Sequence, residues 1–137
     1  MYLLDTVVFS ELYKRRRQPA VMRWLSETPE EVLFLSTITI GEVERGVEHQ
    51  RSRDTVYADA LDAWLERSLE HYRDRILPIS TAVARRWGRL SSRIGHQGVD
   101  LFIAATALEY GLTVATRNVR HFLPTGVAVE NPFEAAR

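Results

Sequence analysis

The chain has 137 residues and a mass of 15.8 kDa, is 45% hydrophobic and 26% charged, and has the composition of one ordinary globular domain spanning 1–137. Eighteen Lys and Arg balance eighteen Asp and Glu, so the formal net charge is zero, which excludes a protein that coats nucleic acid through global basicity. The absence of cysteine excludes a disulfide framework, a thiolate zinc site, an iron–sulfur cluster and a Cys nucleophile, and is compatible with a cytoplasmic location.

The opening Met1-Tyr2-Leu3-Leu4-Asp5 has no basic leader and meets a carboxylate at once, so a signal peptide is not expected. Tyr2 to Leu4 reads as a strand, and Val8, Phe9 and Leu12 then follow helical spacing. Lys14-Arg15-Arg16-Arg17-Gln18 interrupts that helix, and Pro19 suits the first turn of the next, with Val21, Trp24 and Leu25 on its apolar side. Val32 to Ser36 reads as a buried strand, followed by a helix from about Thr39 to Gln50 with Ile40, Val43 and Val47 on one face. A longer amphipathic helix from about Asp54 to Tyr72 carries Tyr57, Leu61, Trp64, Leu65 and Leu69. Ile76 to Ile79 is a brief strand, and Val83, Trp87, Leu90 and Ile94 mark a helix beginning near Thr81. Asp100 opens an apolar segment, Leu101 to Leu108, which is too short to span a bilayer and is closed by Gly111. A helix apolar all round belongs at the centre of a fold. Leu112 to Thr116 and Val127 to Val129 complete the elements as strands.

Short apolar strands alternating with helices predict an α/β fold, with a mostly parallel sheet covered by helices on both faces. In such sheets chemistry collects at the carboxyl ends of the strands, where strand order reverses. Three acids fall at such places: Asp5 after the first strand, Glu42 near the start of the helix after the second, and Asp100 at the start of the apolar helix. Ionised carboxylates about 4 Å apart repel by about 4 kcal/mol at an effective dielectric of about 20, so a convergent trio calls for a cation. An all-oxygen site suits Mg²⁺ or Mn²⁺. Each acid also has an ordinary structural role open to it. Thr39 and Glu42 have the spacing of a capping box, and Asp5 and Asp100 stand where helix caps stand.

Other chemistries lack their signatures. His49, His71, His96 and His121 are scattered without zinc-site spacing, and no Walker A, Gly-x-Gly-x-x-Gly or Gly-x-Ser-x-Gly motif occurs. Trp24, Trp64 and Trp87 lie on apolar helix stripes, as core residues do. Candidates for phosphate contacts are Arg117 and the run Lys14 to Arg17, the latter also readable as a solvated turn.

Four stretches in order resemble one family: Leu3-Leu4-Asp5-Thr6, then Leu35-Ser36-Thr37-Ile38-Thr39-Ile40-Gly41-Glu42, then Asp100-Leu101-Phe102-Ile103-Ala104-Ala105-Thr106-Ala107, then Thr113-Val114-Ala115-Thr116-Arg117-Asn118. Together with Arg85 to Leu90 and the closing Val129-Glu130-Asn131-Pro132-Phe133, they resemble PIN-domain toxins of the VapC/FitB type across nearly the whole chain.

That resemblance implies a single PIN-like α/β/α sandwich and a Mg²⁺- or Mn²⁺-dependent endoribonuclease toxin, a hydrolase cutting RNA phosphodiester bonds. Its implied partners are a cognate antitoxin, an RNA substrate and a second copy in a homodimer, with operator DNA reached only through the antitoxin and no membrane. By matching position, Asp5, Glu42 and Asp100 correspond to the catalytic, metal-binding acids, and Thr6, Thr116 and Asn118 to supporting polar groups. The chain departs from the pattern at three places. Val7 stands where the family's opening usually has Asn, and neither Asn118 nor His121, the two positions where relatives carry a fourth acid, is a carboxylate. Those departures motivate an alternative: a catalytically weak or inactive PIN domain that acts as an antitoxin-binding module in DNA-bound regulation.

Overall fold

A computed structural model describes residues 1–134. Strands β1 (Tyr2–Leu4), β2 (Leu33–Ser36), β3 (Ile76–Leu77), β4 (Thr113–Ala115) and β5 (Val129–Glu130) form one sheet in the order β3-β2-β1-β4-β5. All four pairings are parallel. The helices are α1 (Thr6–Glu11), α2 (Pro19–Glu27), α3 (Thr37–Arg51), α4 (Thr55–His71), α5 (Thr81–Ile94), α6 (Val99–Tyr110) and α7 (Val119–Phe122). The result is the expected α/β/α sandwich.

Strand alternation shows why both faces need helices. Leu3 and Val114 join one buried cluster with Val83, Leu90, Ile103, Ala107 and Phe122, so α5, α6 and α7 cover that face. Leu4 and Ala115, the next residues along the same strands, join Val8, Phe9, Val21, Val43 and Leu65 from α1 to α4 on the other. Successive side chains of a strand point to opposite faces, so a strand buried on both sides must be apolar throughout, as Leu3-Leu4 and Val114-Ala115 are. Helix α6 buries Leu101 and every residue from Ile103 to Ala107, and Gly111, with φ +68°, ends it in the left-handed conformation that L side chains resist. Among the described residues no helix is long and apolar enough to cross a membrane.

Several boundaries differ from the sequence reading for local reasons. Strand β3 stops at Leu77 because Pro78 has no N–H to give to a ladder. The last strand starts at Val129 rather than Val127, because the Val127 N–H still bonds to the Thr125 hydroxyl as the chain leaves the Gly126 turn. Helix α3 starts at Thr37, capped by the Ser36 hydroxyl, which accepts from the Ile38 N–H at 3.1 Å. The single-turn helix α7 was not anticipated.

One feature of the register places the site. Leu4 lies opposite Ala115 on adjacent central strands, so the following residues, Asp5 and Thr116, leave the carboxyl edge of the sheet side by side. Strand order reverses here, since the chain moves outward from β1 to β2 and β3 and then returns to the other flank of β1 with β4.

Candidate active site at the carboxyl edge of the sheet

Asp5 is buried, with 4% of its surface exposed. It caps α1 by accepting the Thr6 N–H on Oδ1 at 2.8 Å, while the Thr116 hydroxyl donates to Oδ2 at 2.7 Å. Thr116 is itself oriented, because its hydroxyl accepts the Asn118 N–H at 2.9 Å. Burial raises the Asp5 pKa from 3.8 to about 6; the Thr116 and Thr6 hydrogen bonds oppose the rise, and the negative charges of Asp100 and Glu42 add to it. The three acids therefore share one electrostatic neighbourhood.

Glu42 comes to this edge from the second turn of α3. Because Ser36 already caps that helix, the expected capping box between Thr39 and Glu42 does not form. The Glu42 carboxylate instead accepts the Thr6 hydroxyl at 2.5 Å, with the Thr39 hydroxyl 3.3 Å from Thr6. Thr6 thus serves both acids, its backbone N–H bonding Asp5 and its side chain Glu42. Asp100 is in the first turn of α6 but does not cap it; Gly98 holds the cap position. Its Oδ2 lies 2.9 Å from His121 Nδ1 on α7, a contact that nothing in the sequence spacing signalled. Val7 packs at the margin of the α1–α4 core and adds no polar group beside Asp5.

The supporting residues divide. Thr6 and Thr116 contact the acids directly, whereas Asn118 acts through its backbone and its side chain makes no capping bond. That side chain lines a cleft of about 640 Å³ with Arg117, Val119, Arg120, His121, Asn131 and Glu134. A separate cleft of about 720 Å³, between Tyr13–Arg16 and the start of α4, contains none of the three acids.

Among the described residues, no three acidic or imidazole side chains already close around a common metal-sized point. Each acid is turned to a proton donor instead: Asp5 to Thr6 and Thr116, Glu42 to Thr6, Asp100 to His121. The residues nevertheless fit Mg²⁺ or Mn²⁺ by donor type and charge. All three are hard oxygen donors, Asp5 carries a buried charge opposed by two like neighbours, and an ion that keeps part of its water shell needs only one or two direct carboxylates.

The PIN domain family matches residues 2–123. The chain is 33% identical over 143 residues to the VapC ribonuclease Y4jK of Sinorhizobium fredii, covering 99% of this chain and 100% of the relative. It is 35% identical over 139 residues to toxin FitB of Neisseria gonorrhoeae, covering 97% of this chain and 99% of that one. A solved structure of FitAB bound to an IR36 DNA fragment superposes with a TM-score of 0.86 at 33% identity, over 100% of this chain and 99% of that one.

Proposed function

Because the chain belongs to the PIN-domain family, we propose that it is a Mg²⁺- or Mn²⁺-dependent ribonuclease toxin of a toxin–antitoxin system, hydrolysing RNA phosphodiester bonds. The observation that carries this reading is Asp5: a carboxylate buried at the switch point of the sheet, oriented by two donors and opposed by the charges of Glu42 and Asp100. A group with only a structural task gains nothing from such opposition, whereas strongly perturbed acids concentrate where chemistry is done.

Asp5, Glu42 and Asp100 would hold the ion. When bound, it supplies the positive charge that polarises a phosphate oxygen and acidifies the attacking water. Thr116 and Thr6 fix the Asp5 oxygens in place, and the Thr6 hydroxyl sets the direction of Glu42. His121 restrains Asp100 in the same way. One of the three carboxylates accepts the proton that the attacking water loses.

The names of the relatives support the rest of the reading: a VapC ribonuclease, a toxin, and a FitAB complex seated on DNA. On this proposal the cognate antitoxin masks the toxin and supplies the contacts to operator DNA. The chain acts as a homodimer in the cytoplasm, where its RNA substrate is found; light scattering after size exclusion tests the dimer.

The purified chain, freed of antitoxin, should cut RNA with Mg²⁺ or Mn²⁺, and should lose the activity with EDTA or as Asp5→Asn. Cleavage that survives both changes would overturn the proposal.

A further inference from the structure

A neutral chain that cuts a polyanion needs a local cationic surface beside its acids, and the structure distinguishes among the candidates. The run Lys14 to Arg17 is partly occupied with itself and α1. Lys14 Nζ bonds Glu11 at 2.7 Å, and Arg17 Nε donates to the Lys14 carbonyl at 3.1 Å. Arg85, Arg89 and Arg93 line a depression along α5 that contains none of the acids.

The cleft of Arg117, Asn118, Arg120 and His121 is placed differently. It begins one residue beyond Thr116, which holds Asp5, and ends at His121, which holds Asp100. None of the three acids lines this cleft either, but one of its own residues, His121, contacts Asp100, and Arg117 directly follows Thr116, which contacts Asp5. Arg117 is pre-positioned, its guanidinium carbon 3.9 Å from the centroid of the Phe133 ring. Arg120 is exposed, and among the described residues neither arginine makes a salt bridge with a carboxylate. The Asn131 side-chain Oδ1 accepts the Phe133 N–H at 2.9 Å, which anchors the loop carrying that ring. Among the described residues Glu134 is the one acid lining the cleft.

We propose that this cleft is the backbone-phosphate subsite for the RNA strand next to the bond that is cut, with Arg117 and Arg120 as its phosphate donors. This rests on the ribonuclease reading above and assigns the direction in which substrate leaves the acids, along α7 rather than across α1 or α5.

The test compares wild type with Arg117→Gln, Arg120→Gln, the double variant, and Arg89→Gln as a distant control of equal charge change. Binding of a fluorescein-labelled single-stranded RNA of mixed sequence is followed by anisotropy in EDTA, from about 50 to 200 mM salt, and cleavage kinetics are followed in Mg²⁺. Each cleft substitution should raise Kd and KM by about threefold to tenfold, change kcat by less than about twofold, and reduce the slope of log K against log salt by about 0.7. Mn²⁺ affinity by calorimetry should not change. Arg120 is exposed and keeps the test informative should Arg117→Gln weaken the fold, and Arg117→Lys retains the charge.

A double variant with wild-type Kd, KM and salt slope, in a protein whose parent binds and cuts RNA, would overturn this subsite alone. An equal loss in Arg89→Gln would overturn it too, by reducing the effect to overall charge. A parent that neither binds RNA nor cuts it with metal would overturn the ribonuclease reading, and the subsite with it.

Discussion

Replacing Asp5 by Asn removes a charge that the metal-free fold holds at a disadvantage. The Asp5 carboxyl moves from 3.8 to about 6, mainly through burial, which is about two pKa units at about 1.4 kcal/mol each, or roughly 3 kcal/mol as an upper bound. The native state binds this proton more tightly than the unfolded chain does. The associated stability is therefore fully present below about pH 4 and is lost as pH rises through about 6. Asn does not titrate and escapes that loss, but it keeps only one carbonyl acceptor for two donors, the Thr6 N–H and the Thr116 hydroxyl, an offset of about 1 kcal/mol. At pH 7.5 in EDTA, Asp5→Asn should be more stable than wild type by about 1–2 kcal/mol, a gain of several degrees in Tm for a chain of this size. At pH 4 the gain should disappear or reverse. Urea unfolding at the two pH values measures both, and their difference cancels the hydrogen-bond offset. A difference below about 0.5 kcal/mol would refute the claim that Asp5 is buried against like charges. Saturating Mg²⁺ should return the advantage to wild type, since an ion at about 100 times its Kd stabilises the folded state by about 2.7 kcal/mol.

Thr116→Val deletes the hydroxyl that donates to Asp5 and accepts from Asn118; it should destabilise the fold by about 1–3 kcal/mol in urea and shift the Asp5 titration further upward by NMR. Thr6→Val keeps the backbone donor to Asp5 but releases Glu42, so Mn²⁺ affinity by calorimetry should fall about 10- to 100-fold with little change in Tm. Gly111→Ala places a side chain at φ +68° where no neighbouring atom lies within 4 Å, so its cost is conformational alone, about 1–2 kcal/mol by thermal unfolding.

The parallel sheet was legible because its strands are apolar on both faces, as in Leu3-Leu4 and Val114-Ala115, and because helices separate them. The three acids were legible by their positions after strands and at helix starts. The sequence did not reveal how they are held. Thr39 and Glu42 have capping-box spacing, yet Ser36 takes the cap three residues earlier, and the Glu42 carboxylate accepts from Thr6 instead. The pairing of Asp100 with His121 depends on the one-turn helix α7, whose four residues are too few to show a periodicity. The link between Asp5 and Thr116 spans 111 positions and follows from strand register, which a pattern of buried residues constrains only once the neighbouring strand is known.

The three acids are held with different firmness, and this bears on how the proposed hydrolase would assemble its site. Asp5 is buried and fixed by a backbone N–H on one oxygen and a twice-bonded hydroxyl on the other. Glu42 has one hydroxyl donor, and Asp100 has only an imidazole that is itself 63% exposed. Directional bonds in a buried site resist displacement more than a contact open to water does. A cation held at this edge would thus have one rigidly fixed ligand and two less firmly held ones. The orientation of Asp5 would set where the ion rests, and the Thr6 and His121 contacts would set the directions from which Glu42 and Asp100 reach it. A fourth carboxylate at His121 would add negative charge that must be held apart until the ion arrives. An imidazole there holds Asp100 open with less repulsion, which favours a single ion over a pair.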